Sequence, residues 1–191
     1  MKKVLVLALV LLAACSSTTG RGYKNPDAIA YRLNTTAVRV MDASDFGMEL
    51  ENRIVEALKK QGVNAFPATN IVRFARDKDE VQKKIAERGT TEVLAITFGG
   101  HTTSETFAYH STGQATAYGD TAYGSGISVP LKRTERVMQV TAVVYATDKT
   151  KIWEASTQKW AQGTLMADDR SIMKGNVSEL IDLMKKDGLL P

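Results

Sequence analysis

The chain has a single cysteine, Cys15, among its 191 residues, and this restricts how it can be held together. With no second cysteine no disulfide can form within it, so a stable fold must come from buried apolar surface. Removing the first 14 residues leaves 177 (191 − 14), the size of one ordinary domain. Apolar periodicity must therefore define the architecture.

The cysteine ends a recognisable leader. Lys2 and Lys3 precede an apolar run from Val4 to Val10 that continues through Leu11 and Leu12, the pattern of a secretory signal. The run is shorter than the roughly 20 residues that cross a bilayer as a helix, and small residues follow it. Leu12, Ala13, Ala14 and Cys15 match the motif cut by the lipoprotein-specific signal peptidase. Leu12 suits an apolar subsite, the alanines are small enough for a cleavage site, and the Cys15 thiol can form a thioether to diacylglycerol. The expectation is that residues 1–14 are removed and that Cys15 carries covalent lipid, palmitate-type chains included. The competing reading is an unmodified cysteine beside an ordinary leader cut nearby. More than one acyl chain anchors a protein stably. Ser16 lacks the negative charge that resembles an inner-membrane retention signal, so an outer-membrane address facing the periplasm is expected.

Charge excludes one class of partner. Without Lys2 and Lys3 the 25 basic and 21 acidic residues become 23 and 21, and the net charge falls from +4 to +2. Neither sign forms a long block, so no nucleic-acid partner is expected.

Residues 15–34 read as the lipidated cysteine followed by a polar tether. Ser16 to Pro26 is rich in turn formers and lacks an apolar period; fully extended it would lift the body by roughly 35 Å. Residues 35–191 read as an α/β domain. Thr35 to Met41 alternates as a strand. Phe46, Leu50, Ile54 and Leu58 mark one face of a helix capped by Ser44 or Asp45 and ended at Gly62. Val63 to Phe66, with a continuation at Ile71 to Phe74, suggests a second extended segment. A helix from Asp77 or Asp79 presents Val81, Ile85 and Ala86 and stops at Gly89. Val93 to Ile96 suits a strand covered on both faces. Leu131 to Ala146 places Met138, Val140, Ala142, Val144 and Ala146 on one face, turns at Asp148 to Thr150 and returns from Lys151 to Ala161 with Trp153 and Trp160, an antiparallel hairpin. A last helix carries Ile172, Met173, Val177, Leu180, Ile181 and Met184 and ends at Gly188. The fold class is α/β, a single mixed sheet backed by about three helices.

Residues 101–130 differ in composition, being rich in Thr, Ser, Gly, Ala and Tyr. Thr116-Ala117-Tyr118-Gly119 recurs as Thr121-Ala122-Tyr123-Gly124, between Gly113 and Gly126. The segment reads as a long mobile insertion. The alternative is the distal tip of two strands whose tyrosines, Tyr118 and Tyr123, offer contact area to a partner.

Catalytic patterns are sparse. The only histidines, His101 and His110, are nine residues apart, an odd spacing that places them on opposite faces of a regular strand. Glu105 alone gives little support for a metal, so surface histidines are expected and no metal site. No serine sits in a Gly-x-Ser-x-Gly elbow. Asp168 and Asp169, just before a helix, fit capping and interaction with its dipole. Gly99 and Gly100 lack the other residues of a phosphate-binding loop.

With these elements placed, Thr35 to Pro191 resembles a loosely defined group of small bacterial lipoproteins of unknown function. Lys84 to Phe98, Val137 to Trp153, and Leu180 to Leu189 with its Lys-Lys-Asp-Gly ending carry the resemblance. The first half is more distantly similar to the amino-terminal domain of TolB and to the curli secretion lipoprotein, which implies envelope assembly or scaffolding. The Gly/Tyr segment departs from the latter, lacking the long amphipathic stretches of a pore. The resemblance brings no catalytic residues. The function expected is that of a non-enzymatic, lipid-anchored envelope lipoprotein that uses a sheet edge, or the segment from Gly113 to Gly126, to bind another envelope protein. It needs no cofactor beyond the lipid on Cys15. The alternative is an envelope hydrolase acting on cell-wall or lipid substrates with His101 or His110 as base.

Overall fold

The computed structural model describes residues 16–118, 121–162 and 168–191, with side chains outside 100–101 and 106–133. In chain order the elements are β1 (Ser16–Lys24), β2 (Thr35–Val40), α1 (Asp45–Lys60), β3 (Asn64–Pro67), α2 (Thr69–Phe74), α3 (Lys78–Ala86), β4 (Glu92–Tyr118), β5 (Thr121–Ala146), β6 (Lys151–Gln162) and α4 (Asp169–Lys186). A 3-10 turn at Pro26–Ala28 links β1 toward β2. The strands form one sheet in the order β1-β6-β5-β4-β2-β3. β2 runs parallel to β3 and β4, and the other neighbours are antiparallel, so the expected mixed sheet backed by helices is what forms.

The main core lies between one face of the sheet and α1 and α4. Leu50, Ile54 and Leu58 from α1 meet Val38, Val40, Leu94, Ile96, Met138, Val140, Ala142 and Val144 from the strands and Ile172, Leu180 and Met184 from α4. A smaller cluster on the other side joins Ala37, Phe66 and Ala68 to Ile71, Ile85 and Val93. The 93–96 run is therefore fully buried on one face, at Leu94 and Ile96, and only half-buried on the other, at Val93 and Ala95. It was expected to be covered on both.

Helix ends follow local chemistry. Ser44 Oγ accepts from the Gly47 amide at 3.2 Å, Asp77 Oδ1 from Glu80 at 2.8 Å and Asp168 Oδ1 from Ser171 at 2.6 Å, each filling a vacancy that the first helical turn leaves open. Gly62, Gly89 and Gly188, just past three of the helices, have φ of +84°, +67° and +70°, a region in which a Cβ is strained. Asp148 accepts from the Thr150 amide at 2.8 Å in the β5–β6 turn.

Three expectations are corrected. Ile71 to Phe74 does not extend β3; it forms α2. The Thr69 amide is bonded by the Glu51 carboxylate at 3.1 Å, so the chain turns into a helix directly after Pro67. Ser16 to Lys24 is no tether but an edge strand, paired with β6 from Ser16↔Ala161 to Lys24↔Trp153. Its glycines serve close packing instead of turning: a Cβ at Gly20 would lie 2.8 Å from Leu183 Cδ1, and one at Gly22 would collide with the Asp187 carboxylate. The mobile insertion expected at 101–130 is likewise not observed where the chain is described. β4 and β5 run through it in register, from Glu105↔Thr134 to Tyr118↔Thr121. Among the described residues no helix is long and apolar enough to cross a membrane.

Candidate functional site

One end of the sheet gathers most of the features singled out in the sequence. Ser16 pairs with Ala161, Ala161 with Arg136, and Arg136 with Thr103. The first described residue of the chain thus lies on the same transverse line at which β4 and β5 leave the sheet. Past that line, among the described residues, the two strands continue as a two-stranded ribbon. Fourteen residues of β4, 105–118, span about 45 Å at about 3.3 Å per residue.

The base of the ribbon is firmly built. Lys159, only 8% exposed, donates from Nζ to Ser16 Oγ at 3.2 Å. Gly175 gives it room, since a Cβ there would lie 2.7 Å from Lys159 Cδ. Arg136 pairs with Asp169, and the Trp160 indole N–H donates to Glu135. Buried Asn176 ties α4 to the sheet by accepting from Thr157 Oγ1 at 2.9 Å and donating to the Met138 carbonyl at 3.4 Å. Asp168 and Asp169 therefore divide their work: the first caps α4 and the second pairs with Arg136.

Two buried carboxylates that the sequence does not reveal pin the two ends of β2, Glu51 at its C-terminal end, toward the ribbon, and Glu92 at its N-terminal end, away from it. Glu51, 3% exposed, accepts from the Val40 amide at 2.8 Å, from the Thr69 amide and from the Thr69 hydroxyl. Glu92, fully buried, accepts from the Asn34 amide at 2.7 Å, Thr36 Oγ1 at 2.6 Å and Tyr31 OH at 3.1 Å, and also from the Thr91 hydroxyl. Such saturation is what allows a carboxylate inside a protein. Burial first, and then the Glu92 charge and its hydrogen bond, push the Tyr31 phenol up to about 12. Lys24 donates to the Ile29, Tyr31 and Gly188 carbonyls, and burial, with Arg32 adding to it, lowers its ammonium below the ordinary lysine range against the pull of Asp187. One signal was available for Glu51, which falls on the apolar stripe of Leu50, Ile54 and Leu58.

The sequence-derived candidates fall as follows. Cys15 lies outside the described residues, immediately before β1. Tyr118 and Tyr123 sit at register positions beside the hairpin tip, Tyr118 opposite Thr121 and Tyr123 opposite Thr116; their side chains are outside the description. The Thr-Ala-Tyr repeat is thereby explained, because folding it back antiparallel sets Thr116, Ala117 and Tyr118 against Tyr123, Ala122 and Thr121. His101 falls within the register shift between Gly99 and Thr102, and His110 pairs with Val129 far along the ribbon. About 30 Å of strand separates the two, so they form no joint site. Among the described residues no group of three or more His, Cys, Asp or Glu side chains is placed to hold a metal ion. A groove of about 630 Å³ beside α3, lined by Ile85, Val93, Tyr145 and Lys149 among others, lies at the sheet end away from the ribbon.

No family model matches the chain, and no curated protein does. Among solved structures the chain is similar to a PelC dodecamer from Paraburkholderia phytofirmans, with 12% identity and a TM-score of 0.52 over 90% of this chain and 97% of that one. A variant PelC dodecamer from the same organism aligns with 13% identity and a TM-score of 0.48 over 90% and 95% of the two chains. At such identities the likeness lies in the fold: this mixed sheet with its helical layers is one that the PelC chain shares.

Proposed function

We propose that this chain is a lipid-anchored envelope lipoprotein of the outer membrane, facing the periplasm, which scaffolds or binds envelope proteins and catalyses nothing. The observation that carries this reading is the junction at Cys15. A Leu-Ala-Ala-Cys motif ends an apolar leader, and the residue after the cysteine already lies in strand β1. Lipid on Cys15 would then tether the chain at the sheet end from which the ribbon emerges. Lys132, Arg133 and Lys174 belong to that end, where cations suit an anionic surface. The shared fold with a chain that assembles as a dodecamer fits a scaffold better than a lone enzyme. An envelope-assembly role like that of the lipoproteins it resembles is part of the same proposal.

The test is intact-mass analysis with membrane fractionation of wild type beside Cys15→Ala in a bacterium with two membranes. The expected result is chain 15–191 plus acyl groups in the outer-membrane fraction, with both features lost in the variant. An unlipidated soluble product from wild type would overturn the anchor.

A further inference from the structure

We propose that the distal ribbon of β4 and β5 pairs edge to edge with the ribbons of other copies of this chain, β4 of one copy against β5 of the next. The argument starts from what each strand lacks. Among the described residues β2 pairs with β4 over Glu92–Ile96 and β6 with β5 over Glu135–Tyr145, and no other strand lies along β4 over 97–118 or along β5 over 121–134 on those sides. A two-stranded ribbon of this length is marginal alone in water, because three or more strands or a packing layer are needed for independent stability. The edge of such a ribbon is a template of backbone N–H and C=O groups for a further strand.

Proteins that keep such edges single protect them with charges, prolines or bulges. Here those devices are few beyond the base and the tip. A register shift at Gly99/Thr102 precedes the ribbon, Lys132 and Arg133 lie near its base, and Pro130, opposite Tyr109, is the one proline along it. From 106 to 119 there is no Asp, Glu, Lys or Arg, and none from 121 to 131; Asp120 is the sole formal charge between Glu105 and Lys132. The β-branched and aromatic residues that favour strands, Thr112, Thr116, Tyr118, Thr121, Tyr123, Ile127 and Val129, continue to the tip. The composition therefore preserves pairing competence where a solitary edge would be blocked.

Geometry selects the partner's orientation. β4 runs outward and β5 inward, so similarly oriented copies set side by side bring β4 against β5 antiparallel and continue the ladder. Such a contact uses a different surface on each partner, so it repeats beyond a dimer into a ring or an open array. Here the inference rests on the anchor reading given above: lipid at Cys15, at the sheet end from which the ribbon emerges, would orient every copy alike on one surface and raise its effective concentration.

Two populations of the full-length chain with different tags, one Thr112→Cys and the other Ile127→Cys, are co-expressed and treated with a short bismaleimide, beside each variant alone and wild type. Mixed-tag cross-links well above those of either variant alone are expected, together with a wild-type mass in detergent larger than a dimer. A variant in which Asn-Gly replaces residues 108–131, leaving the hydrogen-bonded sheet, should lose the higher oligomer and keep its thermal transition. Cross-links confined to Thr112→Cys with itself, or a monomeric or dimeric wild type, would overturn the proposal. Fractionation of the same samples reads the anchor separately: soluble, unlipidated variants that still form mixed cross-links refute the lipid and retain the pairing, whereas a lipidated monomer does the reverse.

Discussion

β4 and β5 are each one continuous strand, yet each has two environments. In the sheet, Leu94 and Ile96 on β4 and Met138, Val140, Ala142 and Val144 on β5 are almost wholly buried beneath α1 and α4. Beyond Ser104↔Glu135 the same ladder continues through threonine, serine, glycine, alanine and tyrosine. The backbone treats both halves alike, and the side chains do not. Regular hydrogen bonding is enough to define a strand, whereas stability in water depends on apolar surface that can be covered. The inner half covers its own surface; in the pairing proposed above, the outer half finds its cover on another copy.

The strongest way to break this contrast is to remove volume from each half. Leu94→Ala empties a fully buried position and should cost about 3 kcal/mol, with a Tm fall on the order of 10 °C. Ile127→Ala, in the ribbon, should leave Tm within about 2 °C for an unassembled chain. Thermal unfolding in detergent, followed by circular dichroism, compares them. Equal losses would mean that the ribbon belongs to the folding core.

A smaller effect separates the edge strand from the ribbon. β1 also begins with a polar, glycine-containing sequence, but α4 lies across it and the Trp153 indole N–H donates to Asp187 at 2.7 Å beside Gly22. Gly22→Ala forces a methyl group into that carboxylate and should cost about 2 kcal/mol, read as a lower denaturation midpoint with unchanged slope. Gly113→Ala, opposite Gly126 in the ribbon, should cost less than about 1 kcal/mol in the unassembled chain. An insensitive Gly22 would show that α4 does not hold β1 down.

This pair also shows what was legible in the sequence. Helix caps at Ser44, Asp77 and Asp168, and helix ends at three glycines, are local chemistry and are readable within a few residues. The alternation from Met138 to Val144 records a buried face directly. β1 was hidden because Gly20 and Gly22 resemble turn formers, and the reason for a glycine there is a helix more than 140 positions along the chain. Glu51 and Glu92 were hidden for the same kind of reason: a carboxylate reads as solvated until its donors arrive from other elements. α2 follows from a side-chain bond to Glu51. The ribbon was misread because its composition suits loops as well as strands, and register alone distinguishes them. Cys15 is the opposite case, since its motif is read by a peptidase as sequence.

The buried polar end supplies a milder test. Tyr31→Phe removes the 3.1 Å bond to Glu92 and should cost about 1 kcal/mol at neutral pH. It should also change the alkaline limb. Because the native state raises the phenol from 10.0 to about 12, its protonated form contributes fully below about pH 10, and that contribution is lost as pH climbs toward 12. Denaturant midpoints measured from pH 9 upward should therefore fall more steeply for wild type than for the variant. Parallel curves would remove Tyr31 from the alkaline response.

The smallest effect on stability is expected from Tyr118→Ala with Tyr123→Ala, and it sharpens the contrast most. The two residues hold diagonal positions of the ladder next to the tip, Tyr118 opposite Thr121 and Tyr123 opposite Thr116. If the ribbon were part of the folding core, deleting two aromatic rings would cost several kcal/mol. If its business is contact between molecules, the double variant should unfold within about 0.5 kcal/mol of wild type when dissociated, while losing associated species, since aromatic residues concentrate binding energy at interfaces. Calorimetry of the dissociated chain and mass measurement of the assembled one are therefore read together. A variant that is stable and still fully associated would remove the tyrosines from the interface and leave the backbone edges as its basis; one that unfolds early would return the ribbon to the core.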